Sequence, residues 1–306
     1  MARAAKAGVH DEWMTNPDFK NYVPCRGVCD QLIDAYFRTS ESAYRILHIP
    51  TFQREYLQYW EQPSAANSSF ILKMLLAMAV GLCYYQEPDG ENIRSQAKKW
   101  IFAAQSWISQ SPFEKSRLNI SGLQVHCLLL LARQALGIVG DLIWISTGSL
   151  IRTALNMGFH RDPKYFPKMT ILQAELRRRL WATILEFNAQ FSLDSGMNPL
   201  ISLDDFDTEP PANINDEDVD ESTKVQPVSK PTSVFTQTSV QIILMKSLPT
   251  RLAIVRLINN IKYEPSYDET LALSEDLTRA CKESTAFAQT AHAQNTTPRL
   301  TQCQVG

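Results

Sequence analysis

Glycine is scarce in this chain, at 11 of 306 residues, and no segment alternates apolar and polar residues with a period of two. That pairing excludes a mainly β architecture. A charge excess is missing as well: the formal net charge is -2, so the whole chain is no polycation seeking phosphates. No apolar run follows the basic residues of "MARAAKAGVHDEW", and so no secretory signal is expected. The two longest apolar stretches are "FILKMLLAMAVGLCYY" (70–85) and "LQVHCLLLLARQALGIV" (123–139). Each is short for a bilayer span and carries a Lys or Arg, which makes both buried core helices. The six cysteines (25, 29, 83, 127, 281 and 303) contain no C-x2-C pair. Without a signal peptide they are expected to be reduced, several as small buried hydrophobes.

What is present is helical periodicity over a 44% apolar composition, enough for a large core in one or two domains of ~150 residues each. Apolar stripes predict helices near 26–38, 48–60, 70–86, 91–109, 123–138 and 142–157, and from 170 to about 194. His48 and Pro50 read as a helix entry, and Ser121-Gly122 as punctuation before the 123–138 helix. Asp141 is placed to cap the next helix and Gly158 to end it in a left-handed turn. Thr170 and Gln173 fit a capping box. Ser195-Gly196 and Asn198-Pro199 close the long helix. Residues 204–221, "DDFDTEPPANINDEDVDE", hold nine acidic side chains and no basic one, and read as a solvated, disorder-prone loop or linker. Helical pattern returns at 236–262, interrupted by Pro249, and again at 268–287. The expected organisation is a tail (1–24), a helical domain (25–203), an acidic, Pro-rich loop (204–233), C-terminal helices of the same domain (234–287) and a frayed tail (288–306).

Several stretches suggest chemistry. His160-Arg161-Asp162 spells a kinase catalytic-loop triplet, but Pro163 follows it, Pro167 stands where a metal-binding Asn is required, and no Gly-rich loop is present. Cys25 and Cys29 could begin a zinc site, yet a structural site needs four ligands and no further pair stands at ligand spacing. Asp204, Asp205 and Asp207 resemble the aspartate-rich motif of all-helical terpenoid synthases, which would hold Mg²⁺ against a diphosphate. The second metal motif of such enzymes is not recognisable, and two prolines follow at once. Arg177, Arg178 and Arg179 fan across roughly 200° of a helix, so they form no single phosphate patch. Glu175 is instead spaced to pair with Arg178 and Arg179.

Taken in order, the stretches resemble the regulatory region of the fungal-specific transcription factor family. "YFRTSESAYRILHIPTF" (36–52) is similar to its early aromatic segment and helix entry. "ALNMGFHRD" (154–162) is similar to its Ala-x-x-x-Gly-Leu-His-Arg-Asp. "AELRRRLWATILEFNAQFSLDSGMNP" (174–199) resembles its Glu-x-Arg-Arg-Arg-x-Trp helix and following Gly-Arg-Pro turn. "ISLDDFDTEPPANINDEDV" (201–219) resembles the Pro- and Asp-rich stretch beyond. The likeness spans about residues 32–220. Two departures stand out: Asn188 replaces an Asp, and Gly196-Met197-Asn198-Pro199 loses the Arg of the turn and gains a residue.

The resemblance implies an all-α, multi-helix regulatory domain of helical hairpins with an acidic, Pro-rich loop. It implies structural roles for Gly158, His160, Arg161, Asp162, Glu175, Arg178, Arg179, Trp181, Gly196 and Pro199, and no catalytic residue. The implied function is transcription regulation in the nucleus, controlling a metabolic or biosynthetic gene cluster. Protein partners, such as a full-length relative, and a small-molecule effector are the implied partner classes. The six-cysteine zinc cluster of full members is not in these residues, so no cofactor and no direct DNA binding are expected of them. Zinc enters only with an upstream cluster. An all-helical Mg²⁺-dependent synthase and a helical interaction scaffold stay open beside this reading.

Overall fold

The computed structural model describes residues 19–85, 90–109, 118–138, 142–166, 168–262 and 264–296, and among these it is helical with no strand. Asp141, Cys303 and most of both expected tails lie outside the described residues. The helices are α1 (Arg26–Arg38), α2 (Ser40–Tyr44), α3 (Ile49–Glu61), α4 (Ser68–Gly81), α5 (Gly90–Ser109), α6 (Ile120–Leu136), α7 (Ile143–Asn156), α8 (Ile171–Asp194), α9 (Ser239–Ile258) and α10 (Tyr267–Thr296).

At the centre is α4, buried from Phe70 to Gly81 on every face, as its all-round apolar sequence requires. It packs on α1, α5 and α6, and α6 is similarly buried from Gly122 to Arg133. Both start on asparagine caps: Asn67 Oδ1 accepts from the Phe70 N–H at 2.8 Å, and Asn119 Oδ1 from the Gly122 N–H at 2.9 Å. Ser121-Gly122 therefore sits inside the first turn of α6 rather than before it. Gly81 fixes the closest approach in this layer, since a Cβ there would lie 2.0 Å from the Leu32 carbonyl oxygen of α1. Among the described residues no helix is long and apolar enough to cross a membrane.

The second layer is built on α8. Thr170 and Gln173 form its capping box, and most of its length is buried. α7 and α9 pack against it. Pro249 does not interrupt α9, which runs unbroken past it. A proline removes one backbone donor and costs about 3 kcal/mol in a helix interior, so tertiary contacts must offset it. Arg251 supplies one: it grips Glu186 of α8 through two 2.7 Å bonds and donates to the Leu244 carbonyl at 2.8 Å. α10 is longer than periodicity predicts, and none of its residues up to 289 is buried. Ser266 and Glu269 cap its start reciprocally, at 3.0 and 3.2 Å. Lys246–Glu283 (2.8 Å) and the Phe235–Phe287 ring contact hold it to the body.

Candidate functional site

The family-like residues of the sequence gather where α7 hands the chain to α8. Gly158 takes φ +72°, a conformation that disfavours side chains, and turns the chain out of α7. Arg177 then fastens the turn. Its guanidinium lies 4.1 Å from the Phe159 ring centroid and donates to the Met157 carbonyl at 2.9 Å. Asp162 follows, fully buried. Both of its oxygens are engaged: the Arg178 fork donates to them at 2.9 and 3.0 Å, the Lys164 N–H at 2.9 Å and the Glu209 N–H at 3.0 Å. Burial alone would raise the Asp162 carboxyl, but Arg178 and the two backbone donors outweigh it and hold the group below the ordinary carboxylate range.

The Glu209 donor belongs to the acidic segment, and here the structure departs from the sequence expectation. Residues 204–238 form a strap docked along α8, not a solvated linker. Thr208, Asn213, Ile214, Asp216 and Val219 are buried. Ile214 and Val219 pack with Leu172 and Leu176 of α8 in a small satellite core. Phe206 meets the fully buried Trp181 edge-on, with centroids 5.7 Å apart. Asn213 closes the strap on itself, donating to the Lys230, Pro231 and Val234 carbonyls at 3.0–3.1 Å. Asp207 accepts from the Asp162 N–H at 2.8 Å and pairs with Arg161 at 3.2 Å, while its own N–H donates to the His160 carbonyl at 3.0 Å. Asp205 turns back to the Ser202 N–H at 2.6 Å. Two of the three carboxylates that a synthase would need for Mg²⁺ are thus bonded to the protein's own donors. No group of three or more metal-ligating side chains is poised for a metal among the described residues.

A second knot lies deeper. Asp216 is 1% exposed and receives two arginines, Arg45 (1%) and Arg179 (0%). Arg179 reaches its Oδ1 at 2.5 Å, and Arg45 bonds the same oxygen. The Ile49 N–H donates to Oδ2 at 2.8 Å and His48 Nε2 donates to the Asp216 carbonyl at 2.9 Å. Arg179 also donates to Glu175 at 3.0 Å, the i,i+4 partner that spacing predicts. Arg178, which spacing also offered to Glu175, turns to Asp162. The three consecutive arginines therefore serve three sites, as their fan around the helix requires. Burial pulls the Asp216 carboxyl up, yet Arg179, Arg45 and the Ile49 N–H hold it below its ordinary range.

Arg45 carries the one positive φ among the described non-glycine residues, φ 49° and ψ 46°. That left-handed backbone costs roughly 1–2 kcal/mol for a side chain, and the pair with Asp216 holds it. Beside it, Glu41 is buried with Tyr36 donating to one oxygen and the Leu47 N–H to the other at 2.8 Å. Burial pushes its carboxyl up to about 7 despite Arg45. Gln241 of α9 completes the joint, donating to the Tyr44 and Arg179 carbonyls at 3.0 and 2.9 Å. Sequence reading missed Arg45, Glu41 and Asp216. Gly196 and Pro199 lie apart, just beyond the far end of α8, which is about 24 Å along the helix from Arg178. Gly196 has φ +63°, and Asn188 holds the chain beyond it by accepting from the Leu200 N–H at 2.8 Å.

The geometry defines an all-helical domain whose long arginine helix clamps an acidic strap. The comparisons place it. The family described as fungal specific transcription factor domain matches residues 33–283. The transcription factor asR3 of Sarocladium schorii is 46% identical over 84% of this chain, which covers 30% of that protein. For the transcription factor opdR of Penicillium oxalicum the figures are 43%, 91% and 35%. The aspyridones cluster regulator apdR of Emericella nidulans is 30% identical over 93% of this chain and 36% of its own length. This chain belongs to the fungal-specific transcription factor domain family, a class of transcription regulators. It spans about a third of the length of these relatives. No solved structure matches it.

Proposed function

We propose that this chain is the regulatory module of a transcription factor controlling a biosynthetic gene cluster, working in the nucleus through protein partners and a small-molecule effector. The observation that carries the reading is the family match over 33–283, joined by a relative named as a cluster regulator. In this reading residues 25–287 act as one unit with the acidic strap as an integral part. Its face is set by Asp162 and Asp216 on the α8 arginines. Sequence-specific DNA binding is assigned to a zinc cluster upstream in a full-length protein, and no turnover is assigned to this chain.

The test joins the chain to a heterologous DNA-binding head in a fungal reporter strain. Reporter output should differ from that of the head alone, and Asp162→Asn should change it at equal protein level. Output identical to the head alone, with the fusion intact and nuclear, would overturn the reading. So would exclusion of the tagged chain from the nucleus.

A further inference from the structure

Helix α10 lies beside α9 without closing on it. The two helices touch, yet a cavity of about 580 Å³ stays open between them. Ile242 and Ile243 of α9 and Ala280 and Phe287 of α10 line it, and all four are only half-buried. Closely packed helices interdigitate such side chains and leave no space of that size. The volume lies within the range of about 300–1,000 Å³ common to small-molecule sites, which often form between helices.

Each helix turns one regular face to the cleft. Residues 242, 246 and 250 of α9 and 276, 280, 283 and 287 of α10 line it, and residues three or four apart share a helix face. Thr232 of the strap adds to the wall, and Phe235 meets Phe287 with ring centroids 5.6 Å apart. The cleft therefore touches the strap as well as both helices.

The wall sets the class of ligand. Four charged side chains line it, two of each sign, and each has its partner there. Lys246 reaches from α9 to Glu283 of α10 at 2.8 Å, and Arg279 pairs with Asp276. No charge is left over to hold an ion. Two hydroxyls are different. Thr285, which faces away from this cavity, donates back to the Cys281 carbonyl at 2.8 Å, as helical hydroxyls commonly do. Thr250 and Ser284 line the cavity and bond to no group among the described residues.

We propose that the cleft between α9 and α10 binds a neutral, largely apolar small molecule through a hydroxyl or carbonyl group directed at Thr250 and Ser284. Such a ligand buries the half-exposed apolar walls and gives the two hydroxyls a partner. The proposal rests on the effector part of the reading above and supplies its place and ligand class.

The experiment titrates the purified chain with Nile red, a neutral apolar dye that carries a carbonyl acceptor. Blue-shifted fluorescence should saturate at one dye per chain. 1-Decanol should displace the dye, and decanoate at the same concentration should not. Ala280→Trp fills the cleft from a position that is not buried, and should weaken binding about tenfold or more with little change in melting temperature. Thr250→Val keeps the shape and removes the hydroxyl, for a loss of roughly two- to tenfold. It keeps the test informative if Ala280→Trp does not fold. Absence of saturable binding, or equal binding by all three proteins, would overturn the site. Displacement by decanoate and not by decanol would overturn the neutral ligand. The titration uses neither DNA nor a promoter, so its failure leaves the assignment as a regulatory module standing.

Discussion

Replacing Asp216 with asparagine is the sharpest perturbation of this fold. The substitution keeps the size of the side chain and one oxygen but removes the charge shared by Arg45 and Arg179, both at 1% exposure or less. Two guanidiniums then stay buried, with Glu175 still paired to Arg179 and no carboxylate left in an ion pair with Arg45 among the described residues. Breaking a buried ion pair from one side costs about 3–5 kcal/mol, a large share of a typical domain stability of about 5–15 kcal/mol. At about 2 °C per kcal/mol for a chain of this size, melting should fall by roughly 6–10 °C. The left-handed backbone at Arg45 loses its restraint at the same time. Chemical denaturation gives the energy, and limited proteolysis shows whether the strap is released before the body unfolds. Arg45→Met alone and with Asp216→Asn completes a double-mutant cycle, with an expected coupling of roughly 0.5–3 kcal/mol. A loss below about 1 kcal/mol, with the strap still resistant, would refute the reasoning.

Glycine positions provide a contrast. Gly158→Ala, whose Cβ would find ordinary contacts at 3.6 Å, should cost about 1–2 kcal/mol through its φ of +72° alone. Gly81→Ala has no such backbone problem but meets the Leu32 carbonyl at 2.0 Å, so it should cost more and separate α1 from α4, as melting curves would show. The pH dependence has a defined sign at Glu41. Its carboxyl is raised from 4.5 to about 7, so between those values the folded chain holds a proton that the unfolded chain has released. Stability from this group is present below 4.5 and falls as pH rises through 7, and Glu41→Gln should remove that slope from denaturation measured at several pH values. Asp162 and Asp216, both depressed, work oppositely: their contribution stands above about pH 3.8 and is lost as pH falls below it. Among the described thiols, Cys25, Cys83 and Cys281 are exposed and should react with a maleimide in the native protein, whereas buried Cys29 and Cys127 should be protected until it unfolds.

The helices were legible because their stripes are local. The 3.6-residue period placed α1, α3, α5, α7 and α8 within a few residues, and Thr170 with Gln173 marked the start of α8. Pro249 misled because its penalty is local while its compensation, Arg251 on Glu186, spans 65 residues. The end of α10 was missed because no breaker marks it. The strap was misread for a deeper reason. Nine acidic residues in a row of polar ones read as solvated on composition, yet one of them, Asp216, meets Arg45 across 171 positions. Nothing local marks which carboxylate of a run is the buried one. Arg45 was invisible for a similar reason, since its left-handed backbone is imposed by its distant partner and not by a glycine. The His160-Arg161-Asp162 triplet was readable only as part of a pattern: its Asp162 matters because Arg178 stands sixteen residues later.

The central claim is that the acidic segment is a built-in strap of the helical domain. Hydrogen exchange of the native chain tests it most directly, read over residues 204–238. The account predicts slow exchange at the Glu209, Asn213, Ile214 and Asp216 amides, close to that of α8, and accelerated exchange there in Asp216→Asn. Exchange across the whole segment at the rate of an unstructured peptide, with α8 still protected, would contradict it.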